Sequence, residues 1–262
     1  MIKVLLKRIL LPIIIRTDPE AFGITQFIEF ASREVKPSDK VLDAGAGSCR
    51  YKKYFSHAQY ETTDFENVFD KSAAALHDFI CDLHSIPKPN NFYDVIICTQ
   101  VLEHVEYPQK VINEFYRILK PGGKLFLTVP QGYGLHGEPY NFYNFAKFGL
   151  ESLFKNAGFD IQFIKARGGI FWYLGKIIKI LPAYFHKQYF VKKDSSLIKI
   201  FLRILFLPFS FICAFLIPFV LFYLDKLDRK QAWTLGYACY CLKSTSFNGR
   251  DGYKCKPNSS FT

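Results

Sequence analysis

Apolar and polar residues alternate in blocks along the chain, and the blocks predict strands and helices in turn. Short apolar runs predict strands at 40–44, 58–63, 78–81, 93–98, 123–129, 159–166 and 233–242. Helical spacing predicts helices at 19–35, 50–55, 68–76, 106–119 and 146–157. The turn Lys120-Pro121-Gly122-Gly123 predicts a sharp boundary between a helix and a strand. This alternation predicts an α/β fold with a doubly wound, mostly parallel sheet of seven strands.

One stretch interrupts the alternation between the last two predicted strands. Residues Ile204–Leu224 hold 21 positions without a charge, enough for a helix as long as a membrane is thick. A single crossing would separate the last strand from its sheet. Because Pro208 and Pro218 can break a helix, we expect a bent insertion that lies in one leaflet. A helix buried in a homodimer interface is the alternative.

Composition and charge favour a membrane surface as the partner. The chain carries a net charge of +11, and many of its basic residues stand beside apolar runs, as Lys3, Lys7 and Arg8 do at the N-terminus. No basic helix-turn-helix or zinc-finger pattern indicates nucleic acid. The seven cysteines form no CxxC pair, which is typical of a reducing cytoplasm. We therefore expect a cytoplasmic protein, peripheral or monotopic at the inner face of a membrane.

These patterns divide the chain into four parts. Residues 1–18 are predicted to form an apolar, basic helix, and residues 19–170 with 232–243 the α/β domain. Residues 171–231 are predicted to form a hydrophobic, membrane-associating insertion. Residues 244–262 are rich in Gly, Ser and Asn, which predicts a disordered tail.

Chemistry-bearing residues follow four consecutive predicted strands. Asp43, Gly45 and Gly47 end the first strand, and Asp64 ends the second. Asp82 follows the third strand and Gln100 the fourth. Carboxyl ends of parallel strands meet at one edge, where doubly wound folds bind ligands. For the glycines taken alone, a tight strand-to-helix turn is the alternative.

The same segments resemble class I S-adenosylmethionine-dependent methyltransferases, in the small-molecule branch often called type 11. The resemblance covers about residues 38–130 and rests on VLDAGAGSCR, YETTDFEN, ICDLHSIP, YDVIICTQVLEHV and FYRILKPGGKLFLTVP. The stretch HGEPYNFYNFAKFGLESLFKNAGFDI looks like the substrate-side loop of that family, with the following helix and sixth strand. The resemblance implies a Rossmann-like methyltransferase fold with an antiparallel last strand, and S-adenosylmethionine as cofactor.

The resemblance also implies roles for single residues. Gly45 and Gly47 would admit the methionine part of the cofactor, and Asp43 would order its amino group. Asp64 would bind the ribose, and Asp82 with the Leu83 backbone would contact the adenine. Gln100 would make a further contact with the cofactor. Cys49 departs from the family, which frequently has glycine at that position.

Two histidines on the same edge are candidates for catalysis. Methyl transfer to a hydroxyl benefits from a general base, and His104 and His136 follow the fourth and fifth strands. A helix-start role for His104 and loop anchoring for His136 are the alternatives. Aromatic residues expected to line the acceptor pocket are Tyr133, Tyr140, Phe142 and Tyr143. The other histidines share no ligand spacing, so the sequence predicts no metal site.

The sequence thus predicts a methyltransferase for a small or lipid-linked acceptor, with O-methylation at the membrane surface. A catalytically silent membrane scaffold with the same fold is one alternative. A nicotinamide-dependent reductase is another, disfavoured because Arg50 stands where a dinucleotide loop needs its third glycine. A homodimer stays open, and no nucleic-acid partner is expected.

Overall fold

Seven strands build one sheet in the described part of the chain, which in this computed structural model is residues 16–65, 76–189 and 205–245. The strands are β1 (Lys40–Ala44), β2 (Gln59–Asp64), β3 (Phe79–Ile80), β4 (Tyr93–Thr99), β5 (Leu119–Pro130), β6 (Phe159–Ala166) and β7 (Gly236–Lys243). Their order is β3-β2-β1-β4-β5-β7-β6. The pairs from β3 through β5 are parallel, and β7 is antiparallel to β5. The predicted fold class is confirmed.

Helices connect the strands. They are α1 (Pro19–Arg33), α2 (Pro108–Ile118), α3 (Lys147–Ala157), α4 (Ile170–Tyr189) and α5 (Leu205–Leu227). Short 3-10 helices occupy Lys52–Phe55 and Leu102–His104, and a 3-10 turn, Asp225–Leu227, ends α5. The buried side chains of α2 recur at helical spacing, at Val111, Ile112, Phe115 and Ile118, as a helix covering a sheet requires. Predicted helices 106–119 and 146–157 are confirmed, whereas 50–55 is only a 3-10 turn.

Three sequence predictions fall mainly or wholly outside the described residues. They are the N-terminal helix at 1–18, the helix at 68–76 and the tail at 244–262.

The turn Lys120–Gly123 lies inside β5 rather than before it. Tyr93 pairs with Leu119, but Val95 pairs with Lys124, so the intervening residues form a bulge. Gly122 has φ +76°, and a Cβ at Gly123 would lie 2.7 Å from the Lys120 carbonyl oxygen. The glycines let the chain turn back tightly, and pairing resumes beyond them. The predicted strand start at 123 is therefore four residues late.

The chain divides into two compact units. One comprises Met1–Gln26 and Ala166–Leu235, and the other comprises Phe27–Lys165 and Gly236–Thr262. The second unit holds nearly all of the sheet. Its core is formed by fully buried residues of β1, β4 and β5 with α2.

Within the first unit, α4 and α5 form a helical hairpin. The Asp225 carboxylate accepts hydrogen bonds of 2.8 and 3.0 Å from the Gly169 N–H, and one of 3.0 Å from the Trp172 N–H. These contacts cap the start of α4 with the end of α5. Farther along, a Cβ at Gly175 would lie 3.5 Å from the Pro218 Cα. The two helices therefore pack closely, and the end of α5 lies beside the start of α4.

Helix α5 continues through both of its prolines. The described residues on both sides of Pro208 and of Pro218 are helical. A π-helical segment, Ile212–Leu216, ends two residues before Pro218 and adjusts the backbone hydrogen bonding there. The expectation that these prolines interrupt the helix is wrong. Among the described residues one helix, the 23-residue Leu205–Leu227, is apolar and long enough to cross a membrane, with mean hydropathy 2.5 and 11% of its most apolar window buried.

Candidate functional site

The candidate site lies where the strand order reverses. β1 and β4 are neighbours, and the chain builds the sheet outward from them in opposite directions. In doubly wound folds this switch point opens a crevice at the carboxyl ends of the strands. The residues that the sequence predicted as cofactor contacts follow β1, β2, β3 and β4 at this edge.

The loop after β1 folds tightly against β2. The Gly45 and Ala46 N–H groups donate to the Thr63 carbonyl, at 2.9 and 3.1 Å. Gly45 has φ +79°, and a Cβ there would lie 2.3 Å from a methyl of Val101. Gly47, at φ +53°, faces open space, since a Cβ added there would meet no atom within 4 Å. Gly45 is thus needed for packing, while Gly47 exposes backbone to a ligand.

Asp43 is a fully buried carboxylate under this loop. Its Oδ2 accepts a hydrogen bond from the Tyr60 hydroxyl. Its Oδ1 is buried and has no hydrogen-bond partner among the described residues. Burial raises the pKa of Asp43 to about 6, although the Tyr60 hydrogen bond opposes that rise. An ammonium group would satisfy the unpaired oxygen, so Asp43 fits the amino group of S-adenosylmethionine.

Asp64 ties the loop after β1 to the end of β2. Its Oδ2 accepts the Gly47 N–H at 2.7 Å, and its Oδ1 accepts the Phe65 N–H at 2.8 Å. Each carboxylate oxygen can accept a second hydrogen bond. Asp64 can therefore hold the loop and bind a pair of ribose hydroxyls with the same carboxylate.

Cys49 adopts a backbone conformation that favours glycine. Its φ is +53°, in the left-handed region that costs an ordinary residue about 1 kcal/mol. Its Sγ lies 3.7 Å from Nδ1 of His77, whose other ring nitrogen lies 4.0 Å from Asp64. Burial, followed by the nearby Asp43 charge, raises the pKa of the Cys49 thiol. The cysteine fits the loop as a neutral side chain under local strain.

The remaining predicted cofactor contacts lie at the same edge. Asp82 is exposed, and its Oδ1 accepts hydrogen bonds from the backbone and ring of His84. The Leu83 side chain is buried, which fixes its backbone at the end of β3. Gln100 has φ +55°, and its side-chain amide donates to the Thr128 hydroxyl at 3.1 Å. Contacts of these three residues with a cofactor stay predictions.

His104 and His136 come together after β4 and β5. Their ring centroids lie 4.9 Å apart, nearly perpendicular. His104 Nδ1 bonds the Tyr140 carbonyl at 2.5 Å, and His136 Nδ1 bonds the Gly134 carbonyl at 3.0 Å. Burial lowers the pKa of His104 below its ordinary value. A neutral imidazole of this kind can accept a proton or bind a cation.

The predicted acceptor-pocket residues belong to the loop that carries His136. The Tyr133 ring packs edge-on against His136, with centroids 4.7 Å apart. Phe142 N–H donates to the Glu103 carbonyl at 2.9 Å, and the Tyr143 hydroxyl donates to the Glu106 carbonyl at 2.9 Å. Tyr140, Phe142 and Tyr143 are all exposed. The loop is fastened to the segment after β4, and its aromatic side chains face outward enough to meet an acceptor.

Several residues of the site escape prediction from the sequence. Tyr60 stands in a predicted strand with no other signal, although its hydroxyl fixes Asp43. Val101 packs over Gly45, and the His77 side chain is buried beside Asp64. Glu103 is fully buried beside His104. The sequence gives a signal for one of these contacts, that of Glu103 with His104, because the two residues are adjacent in the chain.

A family described as "Methyltransferase domain" matches residues 20–164, more than half of the chain. The chain belongs to this methyltransferase family. S-adenosylmethionine is the cofactor, as the resemblance implied. The matched residues include β1 to β5 and every predicted cofactor contact.

Curated relatives match over part of their length. The chain is 30% identical over 91 residues to the mitochondrial ubiquinone biosynthesis O-methyltransferase of Dictyostelium discoideum, covering 35% of this chain and 28% of that protein. It is 28% identical over 111 residues to the ubiquinone/menaquinone biosynthesis C-methyltransferase UbiE of Burkholderia mallei, covering 37% and 45%. The chain thus matches less than half the length of either relative.

Solved structures share the fold at low identity. A putative sarcosine dimethylglycine methyltransferase from Galdieria sulphuraria gives a TM-score of 0.54 at 19% identity, covering 86% of this chain and 85% of that one. The [4+2]-cyclase SpnF gives 0.51 at 20% identity, covering 83% and 80%. These likenesses show the fold alone.

Proposed function

We propose that the protein transfers a methyl group from S-adenosylmethionine to a hydroxyl of a lipid-linked or other amphipathic acceptor at a membrane surface. Asp43 supports S-adenosylmethionine as the methyl donor, because its buried Oδ1 is suited to a cationic amino group. The exposed apolar hairpin supports an amphipathic acceptor at a membrane, because it gives a large hydrophobic surface to a chain that also holds a methyltransferase domain.

The bound cofactor supplies a methyl carbon already activated by a sulfonium. The chain's own residues then have to hold the cofactor and place the acceptor oxygen within about 3–3.5 Å of that carbon. Asp43, Asp64 and the backbone around Gly47 would hold the cofactor. His104 and His136 would lie on the acceptor side, where the aromatic loop can enclose the reacting groups and exclude water.

The surface of α5 supports a membrane as the hairpin's partner. Large apolar side chains are exposed along its whole length, including Leu207, Phe211 and Leu216. A monomeric soluble protein rarely exposes so long an apolar face.

The names of the relatives support an acceptor of the lipid class. Both refer to the biosynthesis of ubiquinone or menaquinone, and these quinones are themselves lipids. The names cover both O- and C-methylation. We favour oxygen, because the paired histidines on the acceptor side suit a reaction in which a hydroxyl proton must leave.

Vesicle flotation tests the membrane part. The full chain should float with phosphatidylcholine vesicles, and more so when anionic phosphatidylglycerol is added. Phe211→Asp should reduce the floating fraction severalfold. Phe148→Asp is the matched control, because Phe148 is 77% exposed but belongs to α3 of the other unit. Equal flotation of both variants, or a vesicle-free dimer that Phe211→Asp dissociates, would overturn this part.

Methylation of a membrane extract tests the reaction. With labelled S-adenosylmethionine, label should enter the organic phase of the extract when wild-type protein is present and not with Asp64→Ala. Cofactor binding without transfer to any extract would instead support the silent scaffold.

A further inference from the structure

Three potential metal ligands meet on the acceptor side of the site. One ligand atom each from Glu103, His104 and His136 lies within 4.8 Å of the other two. Glu103 and His104 follow β4, whereas His136 comes from the loop after β5. The sequence predicted no metal site, because the histidines other than His104 and His136 share no ligand spacing. That spacing does not bear on the cluster of Glu103, His104 and His136. We propose that Glu103, His104 and His136 bind a divalent transition-metal ion.

The hydrogen bonds of the two histidines support this assignment. Each Nδ1 faces a backbone carbonyl, that of Tyr140 for His104 and that of Gly134 for His136. A carbonyl only accepts hydrogen bonds, so each Nδ1 carries the proton and each Nε2 keeps its lone pair. Metal-binding histidines are oriented in this way by a partner on the second nitrogen. Both rings are therefore set in the tautomer that a metal at Nε2 requires.

The distances allow an ion with small side-chain movements. His104 Nε2 lies 4.0 Å from Glu103 Oε1. Around an ion with bonds of about 2.1 Å, neighbouring ligand atoms are about 3.4 Å apart. Closing the site requires shifts of roughly 1 Å, and His136 lies in a loop that can supply them. Glu103 is buried and the two histidines half-buried, so an ion has a solvent path while the carboxylate stays fixed.

The ligand set indicates the kind of ion. Two imidazoles and one carboxylate suit Zn²⁺ or Fe²⁺, whereas Mg²⁺ prefers oxygen ligands and retained water. Three protein ligands also leave at least one position for an oxygen from water or substrate. Zn²⁺ is therefore the probe we would use first, with Mg²⁺ as the ion expected to compete poorly.

The role of the ion rests on the proposed function. The acceptor hydroxyl would bind through its oxygen, and the ion would lower its pKa so that the proton leaves to solvent. That oxygen then forms the C–O bond as the S–C bond of the sulfonium breaks. The products are a methyl ether, a neutral thioether and one proton. His104 and His136 would thus hold the ion rather than take the proton themselves.

Zinc titration of the full chain, freed of metal by a chelator, tests the site without any acceptor. We expect one Zn²⁺ per chain, measured by competition with a chromophoric chelator, and visible d–d absorption when Co²⁺ replaces it. Glu103→Gln, His104→Asn and His136→Asn should each weaken Zn²⁺ binding by at least about 10-fold, the minimum seen for loss of a mere outer-shell partner. His57→Asn is the control, since His57 bonds Val35 elsewhere in the fold.

Titration with S-adenosylhomocysteine in metal-free buffer shows whether each variant is folded. His136→Asn should keep wild-type affinity, because His136 lies in a loop after β5. If folded His136→Asn binds Zn²⁺ as tightly as wild type, or if wild type takes up none, the metal site is refuted. Extract methylation that persists in chelator would refute the ion's role and leave the proposed function intact. Failed cofactor binding by the wild type would refute the proposed function, and the ion's role with it, but not the metal site.

Discussion

The Tyr60 hydroxyl donates a hydrogen bond to Oδ2 of Asp43 across two neighbouring parallel strands. This bond fixes the buried carboxylate so that Oδ1, the oxygen without a partner among the described residues, is held under the glycine loop. The chain therefore keeps the Asp43 carboxyl group fully buried, and its ionised form becomes favourable when a cation binds beside it.

Cofactor affinity should fall with acidification through the pKa of Asp43, about 6. The cofactor's ammonium group attracts the ionised carboxylate, so binding should weaken by about tenfold per pH unit below that value. Calorimetric titration with S-adenosylhomocysteine between pH 5 and 8, in buffers of different ionisation enthalpy, should also show proton release near pH 6. A flat profile would contradict the assigned role of Asp43.

Asp43→Asn should stabilise the free protein while weakening cofactor binding. The folded-state pKa of about 6 exceeds the ordinary value of 3.8, so stability from the protonated form is lost as pH rises from about 4 through 6. The amide cannot ionise, and at pH 8 we expect a gain of about 1–3 kcal/mol in unfolding free energy. Urea unfolding and cofactor titration on the same samples measure both effects. Loss of stability with unchanged affinity is the opposite result.

Asp64→Ala should weaken S-adenosylhomocysteine binding by tenfold or more, about 1.4 kcal/mol. Asp64→Asn should be nearly as weak, because both oxygens accept backbone N–H groups and an amide NH₂ would face one of them. Asp160→Ala, on the exposed side of β6, is the control and should bind normally. Wild-type affinity in Asp64→Asn would show that hydrogen bonds to both oxygens are not needed.

Gly45→Ala and Gly47→Ala should fail in different ways. A methyl at Gly45 would collide with Val101, so we expect a loss of about 2–4 kcal/mol of stability from strain and overpacking. A methyl at Gly47 meets open space but strains the backbone at φ +53°, so we expect a smaller stability loss of about 1 kcal/mol and a main effect on cofactor affinity. Thermal unfolding and cofactor titration separate the two. Val101→Ala should partly rescue Gly45→Ala, and absence of rescue would mean that backbone strain alone is responsible.

Asp225→Ala should loosen the helical hairpin. It removes the acceptor for the Gly169 and Trp172 N–H groups at the start of α4, a loss of about 1–3 kcal/mol when buried donors are left unpaired. Limited proteolysis should then cut within 166–235 faster than in wild type. Cofactor affinity should be unchanged, because the predicted cofactor residues belong to the other unit. Unaltered proteolysis would show that helix packing alone holds the hairpin.

Much of the sheet could be predicted from the sequence. The predicted bounds of each strand lie within about four residues of the observed bounds. Buried strands can be recognised in this way because they form short apolar runs bounded by turns. Asp43 and Asp64 could be placed at strand ends for the same reason. The bulge within β5 could not be predicted, since it depends on how residues 119–124 pair with β4. Helix α5 shows a similar limit, because local rules predicted a break at Pro218 that the preceding π-helical segment avoids.

The sequence by itself determined the element order, the family and the edge of the sheet at which the predicted cofactor residues lie, because periodicity and strand ends are local properties. Tertiary structure alone decided which side chains meet. Tyr60 reaches Asp43 through strand register, and His136 reaches His104 through the path of a loop. Such contacts join residues far apart in the chain, so their geometry depends on packing of the whole sheet rather than on any local pattern.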